Sequence, residues 1–213
     1  MLDSHPDALL FIAPGCPHCP GVLQALSELL KESLIGKLTV VNAAVHPELA
    51  QEQGARTAPW LKLGPFVLAG AYGLEELRQW ARWAMEGDGA AHYVEHLLKQ
   101  GGFRQAVAFI AENTQRLKPL LAVVADPAAN LEVRLGVSAI FESYEGKAAL
   151  IDIMPDLLEL LRHADHRVRA DACHLLGLTQ SAEVRAPLVA CTSDESLEVR
   201  EIAQEALDNL TDA

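Results

Sequence analysis

The stretch Ala8-Leu9-Leu10-Phe11-Ile12-Ala13-Pro14-Gly15-Cys16-Pro17-His18-Cys19-Pro20 decides how the first part of this chain is read. Its continuous apolar run describes a buried strand, Pro14-Gly15 a turn, and two cysteines follow at once. From Val22 the apolar spacing becomes helical: Val22, Leu26, Leu29, Leu30 and Leu34 share one face, and Gly36 closes it. The cysteine pair therefore sits where a strand ends and a helix begins.

That position suits thiol chemistry. Disulfide exchange needs a thiolate, a second thiol near enough to resolve a mixed disulfide, and access for the partner's sulfur. Unpaired N–H groups and the helix dipole stabilise negative charge at a helix N-terminus. Thiols in such motifs fall to pKa values of roughly 3.5–7.5, against about 8.5 for a free cysteine. Cys16, first and more exposed, reads as the nucleophile, and Cys19, inside the helix, as the resolving thiol. Pro17 suits the first helical position, where its missing N–H costs nothing. His18 adds a positive charge or a donor beside the thiolate. The competing reading is half a zinc site, but no second cysteine pair stands nearby, so no metal is expected. His92 and His96, spaced i, i+4, read as a solvated helix face.

Outward from this pair, Lys37 to Asn42 is a second strand, and the strand–helix–strand unit predicts a right-handed parallel crossover. His46 to Gln53 suggests a short helix. Trp60 to Leu63 and Phe66 to Ala69 read as a hairpin around Gly64-Pro65, and a last helix runs from Leu74 to about Met85. The order β-α-β-α-β-β-α makes an α/β domain. Within it, Arg56-Thr57-Ala58-Pro59-Trp60 places a proline directly before a strand. A cis peptide there would bring the backbone at Ala58 against the sulfurs.

The Cys16–Cys19 turn, the Ala58-Pro59 step and the stretch from Phe66 to Leu77 together resemble the thioredoxin superfamily over residues 8–85. The tetrapeptide Cys-Pro-His-Cys is similar to that of periplasmic disulfide oxidases and archaeal glutaredoxin-like oxidoreductases. The resemblance implies a thioredoxin-like fold, Cys16 attacking, Cys19 resolving, Pro59 as the cis-proline, and no cofactor. The chain departs from thioredoxin proper in having Gly15 in place of the preceding tryptophan and Leu10 in place of the buried aspartate. It also lacks the first strand–helix unit.

Glu86-Gly87-Asp88-Gly89 breaks the pattern, which sets domains of 1–86 and 87–213. Helical segments follow at about 90–99, 103–112, 115–125, 131–144, 147–163, 167–178, 182–191 and 197–210. Three segments open on one phrase: Leu131-Glu132-Val133-Arg134, His166-Arg167-Val168-Arg169 and Leu197-Glu198-Val199-Arg200. Asp126, Asp165 or Asp194 precedes each, and Pro119, Pro155 or Pro187 starts the helix before. A helix pair recurring at this spacing means stacked helical hairpins. The phrase resembles short HEAT-like repeats of the bilin-lyase type over roughly 115–213, with 90–112 as an N-terminal cap. None of the eight histidines precedes a glutamate, unlike the His-Glu metal sites of deoxyhypusine hydroxylase, which shares the repeat. Cys173 and Cys191 read as small core residues, and Trp80 and Trp83 as packing.

The net charge is −12. Residues 1–86 hold six Lys/Arg and nine Asp/Glu, and residues 87–213 hold eleven and twenty, so the repeat half is the more acidic. Such a surface repels phosphate, which argues against nucleic acid and anionic membrane as partners. No apolar run reaches transmembrane length, and the N-terminus lacks a basic region, which predicts a cytoplasmic protein. The expected function is thiol–disulfide oxidoreduction on protein partners bearing a disulfide or thiol, with the repeats binding a protein partner. The rival is a non-catalytic adaptor built on the same platform.

Overall fold

The computed structural model describes residues 5–86 and 89–210. It contains two compact units, Met1–Gly89 and Ala90–Ala213. The boundary expected at Glu86-Gly87-Asp88-Gly89 includes Gly87 and Asp88, which lie outside the described residues.

The first unit runs β1 (Asp7–Ile12), α1 (Cys19–Lys31), β2 (Lys37–Asn42), α2 (Pro47–Glu52), β3 (Trp60–Leu63), β4 (Phe66–Ala69) and α3 (Leu74–Glu86). Its four strands form one mixed sheet, ordered β2-β1-β3-β4. β1 and β2 pair in parallel, as two strands joined by a crossover helix must, while β1–β3 and β3–β4 are antiparallel. Gly64 links the hairpin at φ 54°, the left-handed conformation a tight hairpin turn demands.

The register assigns each face its covering. Leu10, Leu61 and Leu68 stand side by side, as do Ala8, Leu63 and Phe66, and all are buried. This face meets α1 and α3, and the Phe66 ring touches Trp80 of α3 at a centroid distance of 5.3 Å. Leu26, Leu29 and Leu77 are fully buried here, worth about 1.5–3 kcal/mol each. On the other face Phe11 and Trp60 meet edge-on at 5.6 Å, packed with Ala50 of α2. α1 stops earlier than its apolar stripe suggests. It ends at Lys31, Ser33 turns the chain at φ 58°, and the Leu34 N–H returns to the Leu29 carbonyl. Leu30 is exposed, and Ala25 shares the inner face instead.

The second unit runs α4 (Ala90–Lys99), α5 (Phe103–Glu112), α6 (Leu121–Val124), α7 (Leu131–Glu142), α8 (Ala148–Ile151), α9 (Met154–Leu160), α10 (His166–Leu178), α11 (Arg185–Cys191) and α12 (Leu197–Asn209). Two 3₁₀ turns, Thr114–Leu120 and Ala182–Val184, precede α6 and α11. The first helix of each pair, expected whole over 115–125, 147–163 and 182–191, is therefore broken in two. Proline explains the breaks. Pro155 and Pro187 lie in the first turn of α9 and α11, where no N–H bond is required, and a continuous helix would demand one. Pro119 lies inside the first 3₁₀ turn.

The repeated phrase has a structural meaning. Val133, Val168 and Val199 are buried. Arg169 Nη1 donates to the carbonyls of His163 and Ala164 at 2.9 and 3.1 Å. Arg200 Nη1 donates to those of Asp194 and Glu195 at 2.7 and 3.0 Å. Each arginine thus ties its helix to the turn five and six residues earlier. Arg134 pairs instead with Asp171. Of the three aspartates in the phrase, Asp165 alone is an N-cap, accepting from the Arg167 N–H at 2.9 Å. Asn130 caps α7, while Asp126 and Asp194 close turns on Ala128 and Ser196. α10 and α12 approach closely at Gly177, where an added Cβ would stand 2.9 Å from that of Ala206. Cys173 is fully buried, but Cys191 is half-exposed at the end of α11 and so is not a core residue as the sequence suggested. No helix among the described residues is long and apolar enough to cross a membrane.

Candidate redox site

β1 ends at Ile12, and a tight loop leads into α1. Gly15 takes φ 75°, which a side chain would resist, and the Cys16 N–H donates to the Ala13 carbonyl at 3.3 Å. Cys16 and Cys19 form a disulfide, their Cα atoms 5.6 Å apart.

The helix start differs from its sequence reading. α1 begins at Cys19 with His18 as the N-cap, so Pro17 lies before the helix rather than at its first position. Pro20 takes the second helical position, where an N–H has no intrahelical partner to lose. The His18 side chain makes no capping bond. The sulfur of Cys16 does that task, accepting the Cys19 N–H at 3.2 Å. A helix amide therefore points at the very atom on which a thiolate would form.

Exposure separates the two sulfur-bearing residues. Cys16 is half-exposed among exposed Pro14, Gly15, Pro17 and His18. Cys19 is 5 % exposed and lies on the inner side of α1 with Val22 and Leu26. A partner's sulfur can approach Cys16 but not Cys19.

The Ala58–Pro59 peptide is cis. Pro59 is buried, Ala58 half-buried, and the Pro59 carbonyl accepts the Gly70 N–H at 3.0 Å. Trp60, the first residue of β3, is registered opposite Phe11 near the end of β1. Ala58–Pro59 thus arrives at the end of the sheet from which the Cys16 loop departs. The Phe11–Trp60 ring contact underlies both segments, a role the sequence did not single out. Only the strand register reveals it, because the two residues are far apart along the chain. Among the described residues, no group of three or more His, Cys, Asp or Glu side chains is placed to hold a metal ion.

A family model described as HEAT repeats matches residues 143–213. That stretch holds the two copies of the phrase whose arginines clamp the preceding turn. No curated protein matches the chain.

Proposed function

We propose that the chain is a thioredoxin-like thiol–disulfide oxidoreductase whose helical repeats bind its protein partner. One observation carries the reading: the accessible sulfur of Cys16 receives a helix-terminal N–H, while its bonded neighbour Cys19 is buried behind it. In the dithiol form the Cys16 thiolate attacks a substrate disulfide, forming a mixed disulfide and releasing one substrate thiolate, which takes up a proton. Cys19 gives up its proton and attacks the Cys16 sulfur. The second substrate thiol leaves, and the Cys16–Cys19 disulfide remains. Run in reverse, the same two steps deliver that disulfide to a substrate dithiol. Pro17, His18, Ala58 and Pro59 are the supporting residues of this proposal.

HEAT repeats serve protein–protein interaction, which supports the partner-binding half of the reading. A cavity of about 330 Å³ lies beside Leu131 and Leu135, which are 70 % and 62 % exposed. The acidic balance of residues 87–213 favours a partner with a basic or neutral docking face.

The test is turnover. The full chain, reduced with dithiothreitol, should reduce insulin disulfides, and Cys16→Ser should abolish that activity. A Cys16→Ser protein as active as the parent would overturn the enzyme reading and leave the adaptor.

A further inference from the structure

We propose that the outer edge of β2 is a docking edge for a second copy of this chain, which pairs antiparallel with it about a two-fold axis at Thr39. β2 closes one side of the sheet, and among the described residues no strand lies beyond it. An uncovered strand edge offers a row of backbone donors and acceptors to another chain, and proteins usually blunt it. The opposite edge is blunted here: β4 has four residues, entered from Pro65 and left through Gly70 at φ 116°. β2 is not. It has six residues, KLTVVN, without a proline, and an unbroken register against β1 from Asp7↔Lys37 to Ile12↔Asn42.

Hydrogen bonding selects the pairing. The Ala43 N–H donates to the Ile12 carbonyl at 2.8 Å. By the two-residue period of a strand, the backbone groups of Thr39 and Val41 then face β1, and those of Leu38, Val40 and Asn42 face outward. The Asn42 carbonyl already accepts the Val45 and His46 N–H groups at 3.1 and 3.0 Å. Leu38 and Val40 therefore carry the usable donors and acceptors. Setting Leu38 opposite Val40 of the copy, and Val40 opposite its Leu38, lets each couple exchange two N–H···O bonds. That register puts Thr39 against Thr39 on the axis.

The side chains agree with it. Leu38 and Val40 align with Ala8 and Leu10 on the sheet face covered by α1, yet Val40 is 40 % exposed, as is Leu30 of α1. Pairing lays Val40 on the half-buried Leu38 of the copy and withdraws apolar surface from water on both chains. Thr39 points to the other face, where Thr–Thr cross-strand couples are favourable. Lys37, the only charge on β2, falls opposite Val41, about 14 Å from its counterpart and beyond the Debye length of about 8 Å. The strand thus meets a copy of itself without like charges in contact. The first unit is also the less acidic half of the chain. Because the axis reverses β1 as well, the two Cys16 loops open at opposite ends of the joined sheet. The redox reading stands or falls independently of this pairing.

Sedimentation equilibrium of the full chain over a dilution series should show twice the 23.0 kDa of one chain at high concentration. Val40→Pro removes an outward N–H and leaves the β1 ladder intact, so half the pairing bonds go. It should raise the dissociation concentration about tenfold or more. Crosslinking reads the register, in a full chain carrying Cys16→Ser and Cys19→Ser. Thr39→Cys on that background should give a disulfide-linked dimer under mild oxidation, since residues facing across the axis have Cα atoms about 4.5 Å apart. Lys37→Cys, at about 14 Å, should crosslink no more than the background chain. A single-chain mass throughout would overturn the second copy and leave the edge to another protein's strand. Equal crosslinking at both positions, or a dimer indifferent to Val40→Pro, would overturn the β2 pairing. Should Val40→Pro fail to fold by circular dichroism, the crosslinking comparison decides.

Discussion

Replacing Arg169 by methionine tests the clamp on which the second unit's last two helix pairs depend. The arginine donates two bonds to the Asp194 carboxylate and two to main-chain carbonyls, with Glu195 as a second, more distant acid at 3.3 Å. Methionine keeps the stem packing and removes every donor. Asp194, whose side chain is 15 % exposed, is then left charged without its partner. Removing one member of a buried pair costs about 3–5 kcal/mol. Asp194 keeps the Ser196 N–H at 2.8 Å and stands near the rim, so the lower end applies, about 3 kcal/mol. Hydrogen bonding from Arg169 is the main reason the Asp194 carboxyl lies below the usual carboxylate range. A depressed folded value means stability present above the unfolded pKa, about 3.9, and lost as pH falls through the folded one. The deficit of Arg169→Met should therefore be largest at neutral pH and shrink below about pH 4. Urea unfolding followed by far-UV circular dichroism measures it. The three tryptophans, all within residues 1–89, supply an internal reference. Asp194→Asn added to Arg169→Met should recover part of the loss. A deficit below about 1 kcal/mol, the scale of an exposed pair, or one indifferent to acid, would refute the reasoning.

Two further outcomes are expected. Alkylation of the reduced full chain against pH should show Cys16 reacting as a thiolate well below the free-cysteine pKa of about 8.5; titration like a free thiol would mean that the helix-terminal N–H does not act on it. A Cys19→Ser protein should stall mixed disulfides on Cys16, and adding Leu131→Asp and Leu135→Asp should narrow or weaken what is captured; identical capture by both would remove the repeats from partner choice.

The first unit was legible because its signals are local. The apolar run at β1, the Gly64 turn and the proline before Trp60 each act within a few residues, and the observed strands fall where those signals put them. The start of α1 was misplaced for an equally local reason that composition does not reveal. A sulfur rather than a hydroxyl or carboxylate accepts the first helix amide, so Pro17 is displaced from the position where prolines usually begin helices. In the second unit the recurring Val-Arg phrase was visible, yet its purpose was not. The arginine reaches back to carbonyls five and six residues away and, for Arg169, on to an acid 25 residues ahead. The apolar pattern could not report where the first helix of each pair breaks, since a helix and a 3₁₀ turn bury similar stripes.

The two cysteine pairs show where such reading stops. Cys16 and Cys19 are adjacent because of their spacing: on an irregular turn opening a helix, three residues bring one sulfur next to the other whatever the rest of the chain does. Spacing says nothing of Cys173 and Cys191. Seventeen residues separate them, and in a straight helix they would lie far apart. Their helices become neighbours because the chain leaves α10 at Thr179, returns through the 3₁₀ turn Ala182–Val184 into α11, and because Arg169 pins the following turn to α10. Each step depends on a contact made by some other residue. A search for motifs finds the first pair and must miss how the fold places the other two cysteines, one buried and one half-exposed.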